Sequence, residues 1–222
     1  MYEVETYMRD MIDILKRNLG DRLFYVGLQG SYLRGEATEN SDIDIVIVID
    51  ELSAQDIFRY KRILSEFDNP EKSCGFICGR EELQKWNPLE MCNFLYGTRD
   101  YYGNIADFLP QYTRDDVVNF VKLSVGNLYH EICHRYIHSD MKKNIVKLPY
   151  AYKNIFFILQ SLYYLRTGVF YPTKKELTGC LSGKDREIME RAGRLMNGED
   201  YDFEEEFKFL FEWCQEILRT FE

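Results

Sequence analysis

The 222-residue sequence contains no uninterrupted apolar run near the roughly 20 residues that a membrane-spanning helix requires. Its opening residues, MYEVETYMRDMIDILKR, lack the basic start, apolar centre and small-residue cleavage site of a secretory signal. These two absences point to a cytoplasmic protein. A CxxC pair is missing as well. The six cysteines, Cys74, Cys78, Cys92, Cys133, Cys180 and Cys214, fall mostly inside apolar stretches without regular spacing. That excludes a disulfide framework and argues against a zinc–cysteine centre, leaving reduced core thiols as the expectation. Nor is there a basic patch: the formal net charge is −9, and acidity concentrates in residues 199–206 (EDYDFEEE). Such a chain repels a polyphosphate backbone, so long nucleic acids are excluded as partners, whereas a small cationic substrate is compatible with it, as is a merely solvated acidic face. No internal repeat or low-complexity linker interrupts the sequence, so its two halves are expected to pack together rather than swing on a tether.

What is present is enough apolar material, 45% of residues, to bury a core in one large or two small domains. Val4, Met8, Met11, Ile12, Leu15 and Leu19 recur at helical spacing and Gly20 follows as a C-cap, which predicts an opening amphipathic helix. Strands are expected at residues 23–28 (LFYVGL), 43–49 (IDIVIVI) and 73–78 (SCGFIC), with a helix over 54–67 that turns Ile57, Tyr60, Ile63, Leu64 and Phe67 inward. After Pro110 the strand signal disappears. Val121, Val125, Leu128 and Ile132 form one helical stripe, and further helices are expected at 150–166, 184–196 and 203–220. The expectation is a mixed-sheet α/β (α+β) domain over residues 1–108, followed by an all-α helical bundle over 109–222.

The stretch that carries chemistry is Gly30-Ser31, nine spacer residues, a Ser at 41, then Asp42-Ile43-Asp44 at the head of the strongest strand. A Gly-Ser turn leaving a strand lets the backbone approach a phosphate, and its amides and the Ser31 hydroxyl can donate to phosphate oxygens. Asp42 and Asp44, two apart, leave the same side of an extended chain roughly 6.5–7 Å from one another. Hard carboxylate oxygens so placed can hold Mg²⁺ while the ion takes its remaining ligands from water and a nucleotide's phosphates. The apolar residues 45–49 fix the pair to a buried strand.

A Gly-Ser turn, a nine-residue spacer and Ser-Asp-Ile-Asp running into an apolar strand resemble the signature of the nucleotidyltransferase superfamily over about residues 20–80. The second half is similar to the helical domain of aminoglycoside adenylyltransferases of the streptomycin and spectinomycin type. There the resemblance lies in residues 150–177, where an aromatic helix ends at Thr167-Gly168 and Pro172 precedes Lys174 and Lys175. The resemblance implies AMP transfer from ATP to a hydroxyl of a small, aminoglycoside-like acceptor. It implies that Asp42 and Asp44 hold Mg²⁺, that Gly30, Ser31 and Ser41 serve the triphosphate, and that Lys174 reaches the phosphates from the second domain, with the active site in the cleft where strand ends face that domain. Arg34, in the spacer, is a further candidate for a phosphate. The other outcomes considered are modification of a protein hydroxyl and nucleotide binding without turnover.

One departure bears on the last of these. The family usually carries a third carboxylate on the next strand, yet residues 73–78 contain no acid, and Glu71, Glu81, Glu82 and Glu90 lie off its centre or beyond it. A general base contributes on the order of 10²- to 10⁴-fold, so its loss slows transfer without abolishing nucleotide binding. A different chemistry is suggested by His130-Glu131-Ile132-Cys133-His134, which matches the HExxH pattern of zinc metalloproteases, with Asp140 as a possible third ligand. Ile137 stands where such enzymes place a helix-breaking glycine, and His138 continues the four-residue stepping, so a polar helix face or a domain contact is the expectation here. The pairs Tyr101-Tyr102 and Tyr163-Tyr164 are candidates for lining a cleft, although core packing accounts for most of the 15% aromatic content.

Overall fold

The structure, a computed structural model, describes residues 3–67 and 70–221. Apolar residues at helical spacing build α1 (Val4–Leu19), which buries Met8, Met11 and Leu15 completely and stops where Gly20 turns to φ +57. The chain then enters β1 (Leu23–Gln29), makes a single helical turn, α2 (Gly30–Leu33), and returns through β2 (Ile43–Ile49). After α3 (Ala54–Leu64) come β3 (Ser73–Gly79), α4 (Arg80–Gln84), α5 (Met91–Tyr96) and β4 (Arg99–Tyr102).

The sheet order is β3-β2-β1-β4, with β1 antiparallel to both β2 and β4 and β2 parallel to β3. The mixed sheet is therefore as expected, with β4 added at its edge. Strand β2 is central, and Ile45, Val46, Ile47, Val48 and Ile49 are wholly buried because both faces are covered. Ile43, Ile45, Ile47 and Ile49 join α1 and α3 in one core, while Val46 and Val48 join Tyr25, Cys78, Leu83 and Ile105 in another. Each such side chain contributes roughly 1.5–3 kcal/mol by leaving water, so the strand carrying Asp44 is the best-anchored element of its unit.

Three expectations need correction here. The helix begun at Ala54 ends at Leu64, where the Ser65 hydroxyl bonds the Arg62 carbonyl at 2.6 Å; Phe67 packs on the core from beyond the helix. Ile57 faces solvent rather than the core, being 41% exposed. Cys74 and Cys180 are likewise exposed, unlike the buried Cys78, Cys92 and Cys214.

The chain divides into two units, Met1–Gln111 and Tyr112–Glu222. The second is all helix among the described residues: α6 (Arg114–His138), α7 (Met141–Tyr152), α8 (Ile155–Thr167), α9 (Lys174–Cys180), α10 (Gly183–Met196) and α11 (Phe203–Thr220). The stripe Val121, Val125, Leu128 and Ile132 packs with Trp213, Tyr152, Ile155 and Leu159 into one core. The single helix expected at 150–166 is in fact the end of α7 and the whole of α8, broken at Lys153 and Asn154. Among the described residues no helix is long and apolar enough to cross a membrane.

Candidate active site

The candidate site lies at the C-terminal end of β1 and the N-terminal ends of β2 and β3. Gln29, the last residue of β1, pairs with Asp44, and Asp44 pairs in turn with Cys74 on β3. Paired residues on neighbouring strands project to the same face, so this row brings together side chains from positions 29, 44 and 74. Asp42 stands just before β2 and is exposed.

Gly30 turns the chain out of β1 at φ +72, in the left-handed region that costs other residues strain. A Cβ there would fall 1.8 Å from Asp44 Oδ2, so the bare Cα is what leaves room for this carboxylate beside the turn. Tyr32 and Leu33 pack against the core formed with α1, which holds Gly30 and Ser31 in place. Beyond the turn, the Glu36 N–H donates to the Ser31 carbonyl at 2.9 Å, and Arg34 pairs with Glu36 at 3.0 Å. Ser41 is occupied locally, since its hydroxyl accepts from the Thr38 N–H at 2.9 Å. Lys174, the remaining sequence-based candidate, is the first residue of α9 in the second unit.

Two residues escaped the sequence analysis. Lys72 sends its ammonium to the Glu39 carbonyl and, at 3.5 Å, to the Ser41 carbonyl, tying the loop that delivers Asp42 to the start of β3. A lysine immediately ahead of a strand parallel to β2 was the available signal. Cys74 is the other. Its thiol sits above its ordinary pKa, chiefly through partial desolvation and further through the neighbouring carboxylates of Asp44 and Asp42.

None of the acids nearest to β3 in the sequence stands in this row. Glu81 pairs with Lys85 at 3.0 Å, Glu90 accepts from the Trp86 indole at 3.1 Å, and Glu82 lies against Gly79 at the opposite end of β3. Glu71 is exposed in the helical turn ahead of β3. Asp100, one step along the same face, accepts from the Tyr25 hydroxyl at 2.6 Å and the Ile105 N–H at 3.4 Å.

The donor set nonetheless fits a divalent cation shared with a nucleotide. Asp42 and Asp44 offer hard oxygens, and the bare Cα of Gly30 leaves room for the Asp44 carboxylate beside the turn. Among the described residues no group of three His, Cys, Asp or Glu side chains gathers closely enough to hold an ion unaided, so the shell has to be completed by phosphate oxygens and water. The HExxH stretch arranges itself otherwise. His130, His134 and His138 stand ring beside ring on the exposed face of α6, with centroids 5.7 and 4.8 Å apart. Glu131 pairs with Arg135 at 2.8 Å, and Asp140 caps α7 through the Lys143 N–H at 2.9 Å. The general base and the third ligand of the zinc alternative are thus both engaged elsewhere.

Residues 8–85 match the family model described as a nucleotidyltransferase domain, a span that takes in the Gly-Ser turn, both aspartates and Cys74. These residues form a nucleotidyltransferase domain. Among solved structures, spectinomycin adenyltransferase AAD(9) from Enterococcus faecialis, determined with ATP and spectinomycin, overlays on this chain with a TM-score of 0.58 at 17% identity, covering 97% of this chain and 99% of that one. The two share a fold. A structure titled toxin-antitoxin with AMP-PNP gives a TM-score of 0.33 at 21% identity over 59% of this chain and 93% of that chain, too little overlap to argue from. No curated protein matches the sequence.

Proposed function

We propose that the chain is a nucleotidyltransferase that moves AMP from ATP to a hydroxyl of a small, cationic acceptor, with Mg²⁺ held by Asp42 and Asp44. The observation that carries the proposal is the meeting of Asp44 with the bare Cα of Gly30, which sets a metal-ligating carboxylate against a phosphate-sized turn. In the reaction the acceptor oxygen bonds to the α-phosphorus as the bond to pyrophosphate breaks, and the hydroxyl proton passes to solvent. Asp42 and Asp44 would hold a Mg²⁺ ion that would supply charge neutralisation at the phosphates. Strand β2 fixes Asp44, the loop tied by Lys72 holds Asp42 just ahead of it, and the turn at Gly30 and Ser31 offers amides and a hydroxyl to the outer phosphates. Arg34, paired with Glu36, serves the turn's shape more directly than it serves a phosphate.

The acceptor class has two supports: the net charge of −9, which favours cations, and the shared fold of an enzyme solved with ATP and spectinomycin. The test is incubation with α-labelled ATP and Mg²⁺, once with a panel of aminoglycosides and aminocyclitols and once with cell extract. Label is expected on a small molecule, with release of pyrophosphate. Asp44→Asn is expected to lose at least about a hundredfold in rate, given the several kcal/mol that a bound cation supplies to such a transition state. Label on a protein instead would replace the acceptor, and an unaffected Asp44→Asn rate would remove the metal site.

A further inference from the structure

We infer that the outer face of α7, together with the acidic run ahead of α11, is the surface on which two copies of this chain pair about a twofold axis. The expectation that the sequence holds no basic patch fails at this place: residues 141–153 carry four lysines and no acid, a run that the net charge of −9 conceals. Lys142, Lys147 and Lys153 are exposed and, among the described residues, make no ion pair, whereas Lys143 pairs with Asp140 at 3.1 Å. Lys142, Val146, Tyr150 and Lys153 follow one another at helical spacing and so share one side of α7. Val146 is 63% and Tyr150 59% exposed, which leaves two apolar side chains in water between two unpaired cations.

The densest acidic run of the chain lies against the same helix. The Tyr201 hydroxyl donates to the Ile145 carbonyl of α7, and Phe203 stacks on Tyr136 near the end of α6 with ring centroids 6.1 Å apart. These two contacts fix residues 199–204 beside α7. Glu199, Asp200 and Glu204 are exposed there and make no ion pair among the described residues, while Glu205 and Glu206 are engaged by Arg191 at 3.1 and 2.9 Å. Two runs of opposite sign thus stand side by side, each unmatched within the chain.

That layout selects the partner. A polyphosphate or an anionic membrane laid on the lysines would also meet the neighbouring acids and be repelled by them. An acidic protein would engage the lysines and leave Glu199, Asp200 and Glu204 unmatched. A second copy carries both signs in the same arrangement. A half-turn about an axis between the runs sets the lysines of each copy on the acids of the other, and in such an isologous pair every contact is made twice. Exposed ion pairs contribute little singly, so Val146 and Tyr150 supply the buried apolar surface while the charges set the register and reject other partners.

The test is sedimentation of the intact chain over a range of concentrations, where a reversible monomer–dimer equilibrium is expected. The double variant Lys142→Glu, Lys153→Glu should weaken association at least about tenfold, as should the double variant Glu199→Lys, Asp200→Lys, because each reversed charge then meets its like in both halves of the contact. Mixed in equal amounts, the two variants should associate to within about threefold of the original chain, since each supplies the sign that the other has lost. Recovery in the mixture also shows that neither variant failed through misfolding. A chain that stays monomeric at about 100 μM overturns the inference. So does a dimer indifferent to both reversals, and so do two variants, each folded by circular dichroism, that do not recombine.

Discussion

Gly30 and Gly35 form a natural pair of probes at the level of single residues. Both hold positive φ, +72 and +67, but a Cβ on Gly30 would collide with Asp44 Oδ2 at 1.8 Å while one on Gly35 would meet nothing within 4 Å. Alanine in a left-handed conformation costs roughly 1–2 kcal/mol, so Gly30→Ala and Gly35→Ala should lose similar stability in urea unfolding. Only Gly30→Ala also displaces the carboxylate, and its metal-dependent affinity for ATP should fall more than about tenfold, equivalent to ~1.4 kcal/mol. Equal affinities in the two variants would sink the idea that this contact sets the site. The same contrast explains what could be read in advance. Gly30, Ser31, Asp42 and Asp44 announce themselves by spacing, because a turn after one strand and acids at the head of the next are local features. The partners of Ser41 and Arg34, namely Thr38 and Glu36, depend on how the spacer loop folds back. Cys74 is some thirty positions from Asp44, and nothing local specifies which residue of β3 stands beside that carboxylate; the register does.

Among the elements, α7 shows how a sequence signal can mislead and how the structure answers it. Pro149 lies inside the helix and cannot donate to the carbonyl four residues earlier, that of Ile145. That carbonyl accepts the Tyr201 hydroxyl instead. The proline is therefore tolerated because an acceptor it leaves unmet is taken up from the segment ahead of α11. Tyr201→Phe should cost about 0.5–1.5 kcal/mol, the usual worth of such a bond. In Pro149→Ala the backbone bond is restored, so the second substitution should cost measurably less there, a coupling that a double-mutant cycle on urea midpoints reads directly. Additive effects would show that the hydroxyl contributes nothing to the proline's accommodation. Helices α1, α10 and α11 were legible because their apolar stripes are continuous and capped. The break between α7 and α8 was not, since Leu148, Ala151, Tyr152, Ile155 and Phe156 all enter one core and keep the helical period across it. Strand β4 escaped for the opposite reason: four residues, Arg-Asp-Tyr-Tyr, at a sheet edge have too little apolar alternation to signal a strand.

For the molecule as a whole the relevant quantity is charge. A net charge of −9 creates a field that attracts cationic acceptors and opposes ATP and nucleic acids alike, and salt acts on these encounters in opposite directions. The Debye length falls from roughly 20 Å at about 20 mM salt to roughly 4–5 Å at about 500 mM. Over that range kcat/KM for an acceptor carrying several ammonium groups should fall about three- to tenfold, the loss expected when steering is screened. The N-acetylated form of the same acceptor keeps its ring skeleton and hydroxyls without the charge, and its kcat/KM should change with salt by less than about twofold. Measured at saturating ATP, the pair separates long-range attraction from contacts in the site, because a change confined to the contacts would appear in both acceptors. Parallel salt dependences would mean that the acidic surface is only a solvated face, and the case for a cationic acceptor would then rest on the shared fold alone.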